Sequence, residues 1–232
     1  MVTVLLLSIF LFSLAGMPIA FSLGVGSFLS IVFTSDLPLM IIPQRMFFGL
    51  NSWLLMSIPF FMLAGQLMIH GGMSRRLVDF ITEIFGFIKG SVGYICVTAS
   101  MIFAGVSGSS SADTAAVGSI ILPIMKDRGY NMKFATALQA AAGSIGPIIP
   151  PSLLMILIGY VTDTSVSQLF LGGIVPGFMI GVALMFVVFI HFRKNNTVYP
   201  KPNSDINFRK LISTGLYALP SLGLPLIIIV GI

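Results

Sequence analysis

The sequence has very little charge. Of its 232 residues, 7 are Asp or Glu and 12 are Lys or Arg, together 8%, against about 25% in an ordinary soluble domain. So few charges cannot coat a water-facing surface, which excludes a soluble globular protein. Instead, 56% of the residues are hydrophobic and the mean hydropathy is +1.05. Apolar runs of about 20 residues recur along the chain, the length that crosses a bilayer. The composition therefore predicts an all-α integral membrane protein, built as a multi-span helical bundle.

The sequence lacks the residues that metal clusters, disulfides and enzyme active sites require. The single cysteine, Cys96, excludes an intrachain disulfide and a Cys/His metal cluster. The sequence has no P-loop lysine motif and no converging acid, base and nucleophile, so we expect neither nucleotide hydrolysis nor an enzyme. The basic residues lie in short loops between apolar runs, which argues against a nucleic-acid partner. We also expect no organic cofactor.

The basic residues mark one side of the membrane. Eleven of the twelve fall into three clusters, and positive loops face the cytoplasm. An even number of membrane crossings must then separate each pair of clusters. The clusters are Arg75, Arg76 and Lys89; Lys126, Arg128 and Lys133; and Arg193, Lys194, Lys201, Arg209 and Lys210.

The segment between the first two clusters is short for two crossings. The polar string at residues 107–114 leaves one leg of about 17 and one of about 12 residues, or about 25 Å and 18 Å, against a hydrocarbon core of about 30 Å. We therefore predict a re-entrant helical hairpin over residues 91–125, with a polar, non-helical tip at membrane depth. Such a tip is tolerated only when it is buried in protein or lines a wet cavity.

The remaining segments follow from apolar runs and helix breakers. We predict a helix over 134–161 that is broken at 143–152, where Pro147, Pro150 and Pro151 remove backbone donors. We also predict close helix packing along Gly173, Gly177 and Gly181. The predicted organisation begins with the first spans at 1–70, bent or broken near Gly16, and an amphipathic interfacial helix or ordinary connector at 71–90. The hairpin follows at 91–125, and the broken helix with the next span follows at 126–191. A cytoplasmic loop is predicted at 192–210, before a further apolar run at 211–232.

The two interrupted segments indicate a binding site. Where helices stop inside a membrane, free N–H groups hold anions and free carbonyls hold Na⁺. Packing and kinking alone is the alternative explanation of these small residues. Asp113, the charged residue at the predicted tip, either caps a helix at capping-box spacing from Ser110 or adds charge near a cation. The candidate Na⁺- and substrate-binding residues are Ser107, Gly108, Ser109, Ser110, Ser111, Asp113, Thr114, Gly146, Pro147, Pro150, Pro151 and Ser152.

Four motifs together resemble a known family. They are GMPIAF at 16–21, IPFFMLAG at 58–65, SGSSSADTAA at 107–116 and GPIIPPS at 146–152. The combination is similar to the large membrane subunit of tripartite ATP-independent periplasmic (TRAP) transporters, from about Leu14 to the end. The resemblance implies a Na⁺-coupled secondary transporter in a bacterial or archaeal cytoplasmic membrane. It also implies uptake of organic acids such as C4-dicarboxylates or sialic acid, a periplasmic binding protein, a small membrane subunit, two inverted repeats and an elevator mechanism. In that mechanism residues 1–70 would be scaffold-like and residues 126–191 transport-domain-like.

The chain departs from this family in length. Large subunits of the family are roughly twice as long, and no second hairpin pattern follows here. The chain then looks like the first repeat plus the start of the second at 211–232, completed by a missing C-terminal half, another polypeptide or a second copy. Na⁺ would be held mainly by backbone carbonyls of the two loops, with an indirect role for Asp113 because a bare carboxylate repels an anionic substrate. The alternatives are an elevator-type anion or citrate carrier without a binding protein, and a non-transporting assembly subunit.

Overall fold

The protein is all-helical, as its composition predicts. The computed structural model describes residues 2–34, 37–88, 90–194 and 208–231, and these form α-helices and connecting turns without strands. Lys89 and residues 195–207, which include Lys201, lie outside the described residues. The helices are α1 (Val2–Leu14), α2 (Ile19–Thr34), α3 (Ile41–Leu50), α4 (Trp53–His70), α5 (Met73–Phe85), α6 (Ser91–Ser107), α7 (Ser110–Asp127), α8 (Met132–Gly143), α9 (Leu153–Thr162), α10 (Val166–Lys194) and α11 (Phe208–Gly231).

The chain divides into two compact units, residues 1–56 and 57–232. In the first unit, α1 and α2 pack against each other. The helix break expected near Gly16 lies between them, and Gly16 takes the left-handed conformation at φ +85° that favours glycine. A Cβ at Gly26 would lie 2.9 Å from the Ser8 hydroxyl oxygen, so α2 approaches α1 closely there.

The second unit is built around α6. Nearly all of α6 is buried, and its apolar side chains form one core with those of α5, α7 and α8. Leu77, Val78 and Ile81 of the amphipathic helix α5 belong to this core, whereas Arg75 and Arg76 are exposed. The apolar face of α5 therefore packs against protein. Lys210 of α11 forms an ion pair with Glu83 of α5, with 2.5 Å between Nζ and Oε1.

The glycines of α10 confirm the predicted close packing. Gly173 lies against the carbonyl of Ile148, Gly177 against the side chain of Ile149, and Gly181 against Met101. Away from these glycines, α10 exposes large apolar residues such as Phe178 and Phe186. Two described helices, α4 and α10, are long and apolar enough to cross a membrane.

The hairpin segment differs from the sequence prediction in its second arm. The polar residues from Ser110 to Thr114 are helical, because serine and aspartate suit the first turn of a helix. The arms α6 and α7 therefore have 17 and 18 residues, or about 26 Å and 27 Å, and the prediction of a second arm of about 12 residues was wrong. Only Gly108 and Ser109 connect them. Re-entrance into the membrane stays a prediction.

Two other boundaries shift by a few residues. Helix α10 continues to Lys194, and α11 begins at Phe208. Both ends of the predicted loop at 192–210 are therefore helical, and its central part, 195–207, lies outside the described residues. The helix expected to break at 143–152 is interrupted there, between α8 and α9.

Candidate functional site

The hairpin turns at Gly108. This residue follows the last residue of α6 and takes the left-handed conformation at φ +59°, and its N–H donates to the Ala104 carbonyl at 3.0 Å. Ser109 is extended and forms the N-cap position of α7 without a side-chain capping bond. Its hydroxyl lies 3.2 Å from that of Ser111 instead. The sequence favours this turn because glycine accepts positive φ and serine suits an N-cap.

Ser107 and Asp113 connect the two arms. The Ser107 hydroxyl donates a short hydrogen bond to Oδ1 of Asp113 and accepts one from the Ser109 N–H at 3.1 Å. Asp113 lies in the first turn of α7, where the helix dipole favours its charge. The prediction of a capping box between Ser110 and Asp113 is wrong. Ser109 holds the N-cap position of α7, and its side chain makes no capping hydrogen bond.

Asp113 is the most unusual residue of the site. Its side chain has no exposed surface, and among the described residues its Oδ2 atom has no hydrogen-bond partner. A buried polar atom without a partner costs about 1–3 kcal/mol, and more when it is charged. Nearly all buried polar atoms in native proteins are paired, so an unpaired carboxylate oxygen points to a functional role. Oδ2 is therefore a free oxygen ligand in the interior of the second unit.

The broken helix supplies a compact turn. Ile148 N–H donates to the Ile145 carbonyl at 2.8 Å, and Pro150 and Pro151 are joined by a cis peptide bond. The hydroxyl of Ser152 donates to the Pro147 carbonyl at 2.7 Å and accepts from the Met155 N–H at 3.3 Å. Ser152 is thus the N-cap of α9, and its hydroxyl is fully used by the turn.

Three glycines bring the hairpin tip and this turn together. A Cβ at Gly108 would lie 2.6 Å from the Pro151 carbonyl oxygen and 3.0 Å from the Leu153 nitrogen. A Cβ at Gly146 would overlap Oδ2 of Asp113, and one at Gly143 would overlap the hydroxyl of Thr114. The two interrupted segments that the sequence marks therefore form one contact surface. Their roles in binding stay predictions.

The candidate residues divide between two environments. Ser107, Ser109 and Ser111 line a cavity of about 320 Å³. The others lie outside that lining. Within the buried contact are Gly108, Asp113, Gly146, Pro150, Pro151 and Ser152, while Ser110, Thr114 and Pro147 are half-buried beside it. Ser107 belongs to both environments through its bond to Asp113.

The cavity also has walls that sequence reasoning missed. Met62, Gly65, Gln66 and Ile69 of α4 line it opposite the serines, together with Leu153. Gly65 lies close to the backbone of Val106 and Ser107, with 3.6 Å from its built Cβ to the Val106 carbonyl oxygen. The amide of Gln66 within an otherwise apolar span is the sequence signal that could have indicated this wall, because polar residues in membrane helices mark functional sites. Among the described residues, no group of three His, Cys, Asp or Glu side chains forms a metal cluster.

Comparison with known proteins identifies the family. Residues 6–232 match the family model described as "Tripartite ATP-independent periplasmic transporter, DctM component". The chain is 36% identical over 219 residues to the sialic acid TRAP transporter large permease protein SiaM of Vibrio cholerae, covering 94% of this chain and 50% of that protein. It is 38% identical over 212 residues to the C4-dicarboxylate TRAP transporter large permease protein DctM of Pseudomonas aeruginosa (91% and 49%).

A third relative differs in the substrate it is named for. The isethionate TRAP transporter permease protein DctMQ of Oleidesulfovibrio alaskensis is 37% identical over 222 residues, covering 96% of this chain and 35% of that protein. The chain thus spans about half the length, or less, of these relatives. They are transporter permease subunits rather than enzymes, and they favour the TRAP interpretation over a citrate-type carrier. The chain belongs to the DctM family, the large membrane permease subunits of TRAP transporters.

Proposed function

We propose that this chain supplies the hairpin and broken-helix part of a Na⁺-coupled TRAP transporter that imports small organic anions. The observation that supports the proposal most directly is the buried, unpartnered Oδ2 of Asp113 at the contact between the two interrupted segments. The complete large subunit would act in the cytoplasmic membrane of a bacterium or archaeon. It would work with a small membrane subunit and receive substrate from a periplasmic binding protein, as the family resemblance implies.

The substrate class follows from the relatives and from the cavity. Sialic acid, C4-dicarboxylates and isethionate, the compounds in the relatives' names, are all organic anions. Among the described residues, the lining of the serine cavity includes hydroxyls and one amide but no lysine or arginine. An anion there would be stabilised by neutral donors, by the N-terminal end of α7 and by a bound cation. This need for a positive partner supports coupling to Na⁺.

The same residues suit a cation. Asp113 Oδ2 offers one anionic oxygen, and the hydroxyls at 107–111 with the backbone carbonyls at 107–111 and 146–152 offer neutral ones, the ligand types that hold Na⁺ in interrupted membrane helices. This gives Asp113 a more direct role than the sequence suggested, because its carboxylate points into the buried contact while the serines line the cavity. In an elevator mechanism, the hairpin and the broken helix would move as one body, since three glycine contacts pack them together.

The test uses the complete large subunit with its small subunit and binding protein in proteoliposomes. Uptake of radiolabelled succinate, sialic acid and isethionate is measured under an imposed Na⁺ gradient. Asp113→Asn removes the charge and should raise the Na⁺ concentration for half-maximal uptake about 10- to 100-fold, the loss of a charged ligand worth about 1.5–3 kcal/mol. Unchanged Na⁺ dependence would refute the cation role.

Asp163→Asn is the matched control. Asp163 lies in the exposed turn after α9 at φ +51°, a conformation that asparagine also tolerates. This variant should keep the wild-type Na⁺ dependence. Uptake without the binding protein would favour the binding-protein-independent carrier, and absence of flux from the complete assembly would favour the non-transporting subunit.

A further inference from the structure

A second cavity lies at the opposite end of α7 from the hairpin tip. It has a volume of about 370 Å³ and is bounded by α5, α6 and the last turns of α7. Arg75 and Arg128 both line it. These residues come from two different basic clusters, which the sequence explained only as markers of membrane orientation. The fold thus brings cations from both clusters to one cavity.

The cavity combines a charged entrance with apolar walls. Ile120, Pro123 and Ile124 of α7 form the apolar wall that keeps accessible surface, above the fully buried Val92, Ile95 and Ile121. Arg75, Asp79 and Ser119 are exposed at the edge of the cavity. A purely polar ligand would gain nothing from the apolar wall. A purely apolar ligand would cover the two guanidinium groups without giving them a hydrogen-bond partner. The lining therefore suits an amphiphile with an anionic head.

The arginines are the hydrogen-bond donors of this cavity that remain available to a ligand. Within the described part of the chain, neither Arg75 nor Arg128 forms an ion pair. The two hydroxyls of the lining donate to their own helices, Thr82 to the Val78 carbonyl at 2.7 Å and Ser119 to the Ala116 carbonyl at 2.8 Å. Guanidinium groups bind phosphate through paired N–H donors. The carboxylate of Asp79 opposes an anion, and the cavity retains a net charge of one positive unit from two arginines and one aspartate.

We propose that this cavity binds the headgroup phosphate of an anionic phospholipid, with the guanidinium groups of Arg75 and Arg128 on the phosphate and the glycerol and acyl region along the apolar wall. Basic pockets between membrane helices bind such headgroups. A lipid is favoured over a soluble anion because the walls are apolar and the protein lies in a bilayer. The proposal requires only the membrane location and is independent of the transported substrate and of Na⁺.

The experiment measures lipid binding to the complete large subunit, purified with its small subunit in mild detergent. Native mass spectrometry titrates phosphatidylglycerol and phosphatidylcholine against the wild type and the variants Arg75→Gln, Arg128→Gln and their double variant. Each lost arginine should weaken phosphatidylglycerol binding about fivefold and the double variant about 25-fold. Asp79→Asn should strengthen binding, because it removes the opposing charge.

Arg76→Gln is the matched control, since Arg76 is an exposed neighbour on α5 that does not line the cavity. It should retain wild-type binding, and equal weakening by this variant would overturn the specific site. Thermal unfolding identifies variants that fail to fold, and the gain from Asp79→Asn is a result that misfolding cannot produce. Equal binding of phosphatidylcholine would overturn the proposal. Full competition by glycerol 3-phosphate would also overturn it, because the cavity would then be a site for soluble anions. Arginine variants that lose the small subunit but keep wild-type lipid binding would overturn it as well, because the cavity would then be a protein contact.

Discussion

The hydroxyl of Ser107, at the end of α6, donates a hydrogen bond to the carboxylate of Asp113, in the first turn of α7. This bond closes the hairpin tip from within and satisfies one of the two carboxylate oxygens. The other oxygen faces Gly146 of the broken helix and has no hydrogen-bond partner in the part of the chain that the structure describes. The predictions below test how this tip is held and what it binds.

Ser107→Ala should destabilise the protein and reduce its response to Na⁺. It leaves both oxygens of buried Asp113 without a protein donor, at a cost of about 1–3 kcal/mol. The measurement is thermal unfolding of the complete subunit in detergent, with sodium chloride compared with choline chloride. The sodium-specific stabilisation of the wild type should shrink in this variant. Ser111→Ala, an exposed serine of the same tip, is the control and should unfold close to the wild type.

Gly108→Ala should abolish the packed tip. Alanine at φ +59° costs about 1–2 kcal/mol. Its Cβ would also lie 2.6 Å from the Pro151 carbonyl oxygen, and because that oxygen belongs to the backbone, the clash can be relieved only by moving the turn. Gly129→Ala separates the two effects, because Gly129 has φ +75° but open space around it. We expect loss of uptake and of folded protein for Gly108→Ala and a mild destabilisation for Gly129→Ala. Similar unfolding temperatures for both would show that the Pro151 contact is unimportant.

Gly173→Ala and Gly172→Ala should have opposite effects on stability. Gly173 lies against the Ile148 carbonyl and Met155, so an added methyl overpacks the contact between α10 and the broken helix, at about 1–3 kcal/mol. Gly172 has open space, and alanine there should gain about 0.5–1 kcal/mol of helix propensity. Chemical unfolding in detergent compares the two variants. Equal shifts of the same sign would contradict this assignment of the packed face.

Gln66→Leu should weaken substrate binding without changing Na⁺ dependence. The amide lines the serine cavity, and loss of one neutral hydrogen bond of about 0.5–1.5 kcal/mol corresponds to a KM increase of about 2- to 10-fold. Uptake kinetics at saturating Na⁺ measure it. Met62→Leu, an apolar swap of similar volume in the same wall, should leave KM unchanged. An unchanged KM in Gln66→Leu would remove this residue from the substrate site.

The sequence alone determined the fold class and the two segments of interest. A chain with 8% charged residues and long apolar runs satisfies its backbone groups in helices within lipid. The glycine of the 107–111 string and the glycines and prolines at 143–152 mark the two places where those helices are interrupted. It also placed Asp113 at the tip and the family motifs along the chain. These properties depend on local composition and spacing, which can be read from the sequence without knowing the fold.

Only the tertiary structure decided which distant residues are in contact. Helix propensity at 110–114 competes with the turn-forming tendency of serine, and the packed hairpin resolves this in favour of helix, so the second arm is longer than its polar string suggests. The contact of Gly146 with Asp113, the cavity wall from α4 and the meeting of Arg75 with Arg128 join residues distant in sequence. Such pairings depend on how helices pack, and no local pattern encodes them.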